Sequence, residues 1–314
     1  MNLEKIHVPV LLKEVLYYLN LKQGDIIFDG TLGGAGHTVE IIKVIAPKGQ
    51  HNAVDLHCQT LSTAASSLKN FSKNVFLVND NFANIRKILK RINIESIDGM
   101  LLDLGLSSFL IEKSERGFSY LKNEKLDMRF GDSDNMNASD VVNKYSQGKL
   151  IEIFRKYGEE RWSRSIAKNI VSHRKNGDIK TTGELVEIIK HSIPRKLKYK
   201  RRGHPAKRIF QAIRMEVNKE LDNLKIAIED GFEMLRSGGR MVIISYHSLE
   251  DRMVKSSFLE YEGKCICPPN FPVCKCGRKK RAEIITKKVV RPGIEEIRSN
   301  PRSKSARLRV LEKL

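Results

Sequence analysis

The chain has 314 residues, 40% hydrophobic and 30% charged, and its 57 lysines and arginines against 37 aspartates and glutamates give a formal charge of +20. This is enough apolar sequence for one large domain or two smaller ones, and it excludes a collagen-like chain, extended disorder and a small disulfide-stapled fold. No apolar run approaches the roughly 20 residues that cross a bilayer, and Met1 to Leu12 has no secretory apolar segment, so a cytoplasmic protein with no membrane partner is expected.

The first third alternates strand and helix signals. Asp25 to Phe28 predicts a strand ending in the glycine-rich turn Asp29-Gly30-Thr31-Leu32-Gly33-Gly34-Ala35-Gly36-His37. A helix is expected over Thr38 to Ile45, a strand over Asn52 to Asp55, a helix over Leu61 to Leu68 and a strand over Val75 to Val78. Ile85, Ile88, Leu89 and Ile92 share one helical face, and Gly99 to Asp103 predicts a fourth strand. Such alternation with short connections implies a parallel sheet covered on both faces.

From Ile111 to Ile213 no strand pattern is convincing. A polar loop (Glu112 to Asn137) precedes helices expected over Gly148 to Tyr157, Glu159 to Lys175 and Thr182 to His191, followed by a basic loop from Pro194 to Pro205. The sheet pattern then returns. A helix is expected over Asn218 to Leu235, ended by Ser237-Gly238-Gly239, then a strand over Met241 to Ser245 and a helix over Leu249 to Tyr261. Glu283 to Val290 and Ala306 to Glu312 read as a closing antiparallel pair with a long connection. The expected organisation is therefore an α/β domain built from residues 1–110 and 214–314, interrupted by a helical domain over 111–213.

Charge is clustered as well as high. Nine basic and no acidic residues lie between Arg195 and Arg214, and thirteen basic against four acidic between Gly277 and Leu314. Tyr199, Phe210 and Phe271 sit beside basic groups. That mixture suits phosphate contact with base stacking, and so a nucleic-acid partner.

The glycine turn after the first strand lets a ligand approach the backbone, and the helix behind it offers free N–H groups. It lacks the Lys-Ser/Thr ending of a P-loop. Asp55 ends the second strand about 20 residues later, where an acid accepts from ribose hydroxyls. Phe82 follows the third strand and Asp103 ends the fourth. All four features fall at the carboxyl ends of strands, where open α/β sheets bind ligands. Either NAD or S-adenosylmethionine would suit such a rim.

The matching segments His7-Val8-Pro9-Val10-Leu11-Leu12, Asp29-Gly30-Thr31-Leu32-Gly33, Leu101 to Ser108, Glu115-Arg116-Gly117-Phe118-Ser119 and Leu126-Asp127-Met128-Arg129 lie in the first part of the chain. They continue with Tyr157 to Arg161, His204-Pro205-Ala206, Phe210 to Arg214, Ser245 to Arg252 and Asn300-Pro301-Arg302. On these segments, which run almost end to end, the chain resembles the RsmH (MraW) family of S-adenosylmethionine-dependent methyltransferases acting on cytosine N4 of 16S ribosomal RNA. The resemblance implies a Rossmann-like methyltransferase sheet interrupted by a helical domain, with 16S rRNA of the small ribosomal subunit as partner.

It also implies site roles. Ala35, Gly36 and His37 would surround the methionine end of the cofactor, and Gly33 and Gly34 would be further cofactor-binding positions. Asp55 would hold the ribose, Phe82 would flank the adenine, and Asp103 would lie at the methionine amine and the transfer point as the catalytic acceptor. Leu110 stands at a further cofactor position, where the family has glutamine. Arg116, Phe118, Arg129, Arg214 and His247 are the candidate substrate-binding residues, His247 being equally readable as a helix cap and the arginines as salt-bridge partners. Ala35 replaces a usual glycine, Leu56-His57-Cys58 replaces Arg-Asp-Pro, and His51 and Asn52 stand where the strand is normally apolar. These departures predict weaker cofactor binding. They leave as the alternative an rRNA-binding assembly factor with a weakened cofactor site. No metal is needed for the chemistry, although Cys265, Cys267, Cys274 and Cys276 form a cluster that could hold a structural zinc. The pattern leaves monomer and homodimer open.

Overall fold

The computed structural model describes residues 9–106, 111, 114–131, 136–194, 203–264, 267 and 276–314. Leu110, the basic loop 195–202, and Cys265 and Cys274 of the cysteine cluster lie outside the described residues. In chain order the elements are α1 (Leu12–Leu19), β1 (Ile26–Asp29), α2 (Gly36–Ile45), β2 (Gln50–Asp55), α3 (Cys58–Ser67), β3 (Val75–Asn79), α4 (Ile85–Arg91) and β4 (Ile97–Asp103). Then follow α5 (Ala138–Lys144), α6 (Gln147–Lys156), α7 (Ser163–His173), α8 (Thr182–His191), α9 (Lys207–Asn218) and α10 (Glu220–Met234). The last are β5 (Leu235–Ser245), α11 (Ser248–Tyr261), β6 (Ala282–Ile284), α12 (Ile294–Ser299) and β7 (Arg307–Lys313). Among the described residues no helix is long and apolar enough to cross a membrane.

The chain forms two compact units, one of residues 1–105 and 221–314, the other of residues 106–220. The first holds a seven-stranded sheet ordered β3-β2-β1-β4-β5-β7-β6. β1 to β5 pair in parallel, and β7 pairs antiparallel with both β5 and β6. This is the expected α/β class, a Rossmann-like sheet. Strand order reverses between β1 and β4, which opens a crevice at their carboxyl ends. One face of the sheet buries Val15, Leu19, Ile41, Ile42 and Ile45 of α1 and α2. The other buries Ile85, Ile88, Leu89, Ile228, Phe232 and Phe258 of α4, α10 and α11. Each such side chain contributes roughly 1.5–3 kcal/mol by leaving water.

The second unit is helical. Its core includes Val141, Leu150, Phe154, Ile166, Ile170, Leu185, Ile189, Ile209 and Ile213. Capping boxes start two of its helices, Asn137 with Asp140 on α5 and Thr181 with Glu184 on α8.

One helix escapes the sequence pattern, and two expected elements need correction. Helix α1 carries no sequence start signal, because its N-cap is Leu11 in the left-handed conformation with no side-chain cap. β5 begins at Leu235, not Met241, directly after the helix ends at Met234: Leu235 pairs with Ile97 and pairing resumes at Arg240 with Gly99, so Ser237-Gly238-Gly239 is an irregularity within the strand's span. The strand expected over Glu283 to Val290 shortens to Ala282–Ile284 plus a bridge at Val290. There the Thr286 hydroxyl accepts Val310 N–H at 2.9 Å, so a side chain replaces a backbone acceptor and the ladder stops.

His51 and Asn52 are fully buried in β2. Asn52 Nδ2 donates to Ile27 O at 3.3 Å. His51 Nε2 lies 3.2 Å from the Thr38 hydroxyl and 3.7 Å from Asp29 Oδ2. Burial alone would raise the Asp29 pKa, but hydrogen bonding and charge from His51, with the Thr31 N–H, outweigh it and hold the carboxyl below its ordinary value. A depressed acid contributes stability above its unfolded pKa and loses it as pH falls through the folded value. His51→Leu leaves that buried carboxylate short of its main partner, at a cost of about 3 kcal/mol. Urea unfolding should show the full deficit at neutral pH and a shrinking one in acid, where Asp29 is protonated in both proteins. A deficit independent of pH would contradict the pairing.

Candidate active site

Asp29 ends β1 and anchors the turn that follows it. Its Oδ1 accepts Thr31 N–H at 3.0 Å and the Thr31 hydroxyl at 3.4 Å, and its Oδ2 accepts the Thr38 hydroxyl at 3.1 Å. One buried carboxylate thus ties the start of the turn to the first helical turn of α2. Gly30 is needed for contact: a Cβ there would lie 2.4 Å from Leu102 Cδ2 and 2.7 Å from Phe82 Cβ. That approach brings Phe82, half-buried after β3, onto the β1 turn. Gly33 has φ +49°, with no neighbour closer than 3.8 Å to an added Cβ. The backbone at Gly33 therefore has open space beside it, the feature a bound ligand requires.

Ala35 is fully buried with φ 61° and serves as N-cap of α2 without a side-chain bond. This is the left-handed strain that its replacement of glycine predicts. Gly36 lets Pro9 pack against the turn, its Cβ position lying 3.0 Å from the proline ring. His37 Nε2 lies 3.0 Å from Val10 O. A carbonyl can only accept, so Nε2 donates its N–H there and Nδ1 faces the other way, 4.0 Å from Asp103 Oδ2.

Asp55 ends β2. Its Oδ2 accepts Gly33 N–H at 3.1 Å and its Oδ1 accepts His57 N–H at 2.8 Å. Burial nevertheless outweighs these bonds, with the Asp29 charge adding to it, and the Asp55 pKa is pushed up to about 6. Such a carboxylate has lone pairs to spare and gains from further donors, which fits a ribose diol.

Asp103 ends β4. Its N–H donates to the Thr31 hydroxyl at 2.7 Å, which closes a chain of bonds from Asp29 through Thr31 to Asp103. The Asp103 carboxylate accepts Gly105 N–H at 3.3 Å and the Tyr246 hydroxyl. Burial raises its pKa against the His37 charge and these two donors. Burial and the facing Asp103 likewise hold the Tyr246 phenol up, so it stays a donor. Gly105 packs beneath the Tyr246 ring, its Cβ position 3.0 Å from ring carbon Cε2. Thr31 and Tyr246 are partners of Asp103 that the sequence reading did not assign to it; Thr31 is visible only as part of the Asp-Gly-Thr turn.

The structure thus brings Gly33, Gly34, Ala35, Gly36, His37, Asp55, Phe82 and Asp103 to one rim at the carboxyl ends of β1 to β4. His247 lies on the same unit, where it caps α11 in a capping box with Glu250: its Nδ1 accepts Glu250 N–H at 3.4 Å and its Nε2 is 3.0 Å from Glu250 Oε1. The remaining candidates belong to the helical unit and have internal partners. Arg129 pairs with Asp127 at 2.8 Å and Arg214 with Glu220 at 2.7 Å. Arg116 Nη1 donates to Arg129 O and Gly131 O, each at 3.2 Å. Phe118 is buried and stacks on Phe130 with ring centroids 5.7 Å apart.

A Rossmann-like sheet with a glycine turn and acids on adjacent strand ends is the binding site of a nucleotide-type cofactor. The chain belongs to the MraW methylase family, whose model matches residues 4–314, and so is a methyltransferase. It is 48% identical over 308 residues to ribosomal RNA small subunit methyltransferase H of Clostridium botulinum (strain Loch Maree / Type A3), covering 98% of this chain and 99% of that one. It is 46% identical to the protein of the same name from Lachnospira eligens, covering 98% of each. An rRNA methylase of known structure from Streptococcus thermophilus is 12% identical, covers 96% of this chain and 93% of its own, and superposes with a TM-score of 0.42.

Ala35 generates a test. The left-handed conformation costs a non-glycine residue about 1–2 kcal/mol, and glycine returns about 0.4–1 kcal/mol of that through the unfolded chain's entropy. Ala35→Gly is expected to stabilise the protein by up to about 1 kcal/mol and to raise Tm by on the order of 2 °C. A fall in Tm would mean that the turn relaxes out of the left-handed region.

Proposed function

We propose that the protein transfers a methyl group from S-adenosylmethionine to the exocyclic N4 of a cytidine in the 16S ribosomal RNA of the small subunit. The observation that carries this reading is the Asp103 carboxylate, fixed at the strand-order switch by Tyr246, Gly105 and, through its own N–H, Thr31. The names of the relatives supply the class of RNA. When bound, S-adenosylmethionine supplies a methyl group already activated on a sulfonium.

The residues then have distinct tasks. Gly33, Gly34, Ala35, Gly36 and His37 receive the methionine end, Asp55 accepts from the ribose hydroxyls, and Phe82 flanks the adenine. The cytosine N4 lone pair is delocalised into the ring, so the amine is a poor nucleophile. Asp103 accepts an N4–H, favours the nucleophilic geometry, and takes up the proton released as the methyl arrives. Positioning supplies much of the remaining acceleration. Arg116, Phe118, Arg129 and Arg214 form part of the RNA-recognition unit, and His247 holds the start of α11 on the substrate side. The base must leave its stack to be reached.

The decisive experiment incubates purified protein with methyl-labelled S-adenosylmethionine and unmodified small ribosomal subunits, then digests the RNA and identifies the labelled nucleoside by mass. N4-methylcytidine is expected. Label on any other nucleoside overturns the assigned reaction. An absence of label from protein that still binds the subunit would leave a binding factor on a methyltransferase fold. Asp103→Asn should lower turnover by about 10²–10⁴-fold while the protein stays folded. In the wild type the rate should rise with pH through the raised Asp103 pKa, because only the ionised acid accepts a proton.

Asp55 gives a second pH test. Its carboxyl titrates near 6, and only its ionised form accepts from both ribose hydroxyls. Affinity for S-adenosylhomocysteine should therefore strengthen as pH rises through about 6. In Asp55→Asn it should be weaker and lose that pH dependence. Calorimetric titration across the range checks both; an unchanged profile in Asp55→Asn would remove Asp55 from the ribose site.

A further inference from the structure

The sheet order divides the rim. Asp55 and Phe82 lie toward β2 and β3, on one side of Asp103, and β5 and β7 lie on the other. With the donor over the β1–β3 side, the acceptor approaches over β5 and β7. The β6–β7 connection, residues 285–306, borders that side. Val290 and Leu308 exchange backbone hydrogen bonds of 3.1 and 2.9 Å, and Leu308 pairs with Ile244, one residue before β5 ends at the rim. On α12, Glu296 Oε1 accepts Leu11 N–H at 2.9 Å, and the neighbouring Val10 O holds His37. Ala306 is buried in the core of the same unit. The connection is therefore pinned at three places, one of them, through Glu296 and Leu11, next to the residue that holds His37.

This connection exposes Lys287, Lys288, Arg291, Arg298 and Lys304. Among the described residues none of the five has a carboxylate within ion-pair distance, although Glu295 is exposed on the same stretch. The neighbouring arginines on β7 differ: Arg307 and Arg309 both pair with Asp251, at 3.1 and 2.7 Å. Cations held on an anchored backbone with no internal counter-charge suit the phosphates of a polyanion, whose bound counterions are released on contact.

We infer that Lys287, Lys288, Arg291, Arg298 and Lys304 form a phosphate-contact surface for the substrate RNA, on the sheet unit and beside the site of methyl transfer. The inference rests on the rRNA reading above and assigns to the catalytic unit itself a share of RNA binding. These residues touch backbone phosphates, so they add affinity and register without reading sequence.

The test compares two variants of equal charge loss. One is Lys287→Ala/Lys288→Ala/Arg291→Ala. The other, Lys48→Ala/Lys69→Ala/Lys73→Ala, removes exposed cations that precede β2 and β3, at the amino ends of the strands. Binding to unmodified small ribosomal subunits is measured over a range of salt, with S-adenosylhomocysteine binding and Tm as controls. The first variant should bind on the order of tenfold more weakly, and its slope of log affinity against log salt should be shallower by about 2 to 3. The second should stay within about threefold of wild type, with its slope nearly unchanged. Both variants should keep cofactor affinity and Tm. Equal loss in the two variants, or no loss in the first, overturns the surface. Nucleoside identity in the wild type separates this result from the reaction: weakened binding without N4-methylcytidine would fault the chemistry alone, and N4-methylcytidine with unaltered binding would fault the surface alone.

Discussion

Everything at the rim depends on one buried carboxylate. Asp29 is almost fully excluded from water, yet it stays ionised because hydroxyls, an amide and His51 surround it. Each partner belongs to a different part of the site: Thr31 to the turn, Thr38 to α2 and His51 to β2. Thr31 passes the restraint on to the backbone of Asp103. A glycine-rich turn has little rigidity of its own. Here it gains a defined path from a charge that cannot move without losing its solvation.

That anchoring explains how acids coexist at the centre of a strongly basic protein. Asp29, Asp55 and Asp103 end adjacent strands, and their mutual repulsion appears in the raised pKa values of the latter two, both of which Asp29 pushes upward after burial. The division of labour follows from partners. Asp29 has all its acceptor capacity taken up inside the protein and is structural. Asp55 and Asp103 each keep oxygen capacity that faces the rim, and each is easier to protonate than an ordinary acid. The first is suited to hydroxyl donors and the second to an amine proton. The basic residues that would neutralise them are elsewhere on the unit, in the β6–β7 connection, where they are available to an anionic partner.

Much of this was legible in the sequence where local signals and tertiary demands agree. β1 to β4 are short apolar runs bounded by turn residues, and the rim acids stand where the runs end. Legibility failed where tertiary contacts replace local signals. α1 starts from an uncapped left-handed Leu11, and its first turn is held by Glu296, 285 positions away. The glycines at 238 and 239 read as a helix stop, but the helix ends at Met234 and they form an irregularity between the β4 pairs Ile97–Leu235 and Gly99–Arg240. The Tyr246–Asp103 bond joins residues far apart in sequence on neighbouring strand ends, and no spacing rule announces it. His51 is legible only as an oddity, a polar residue in an apolar strand; its reason is the carboxylate across the β1–β2 pair.

The departures after β2 bear differently on the adenosine end. Asp55 is held by the backbone N–H groups of Gly33 and His57, and backbone donors do not depend on side-chain identity. Replacing the usual Arg-Asp-Pro by Leu56-His57-Cys58 therefore leaves both of those bonds intact, and Cys58 begins α3 as an exposed residue. His51 and Asn52 find partners inside the sheet and add restraint to the turn. Among the described departures, Ala35 alone carries a local conformational cost, and it carries it at the N-cap of α2, beside His37. Among the described departures, the energy stored in that turn is the source of weakening that the structure shows, while the acid proposed to meet the ribose keeps its geometry.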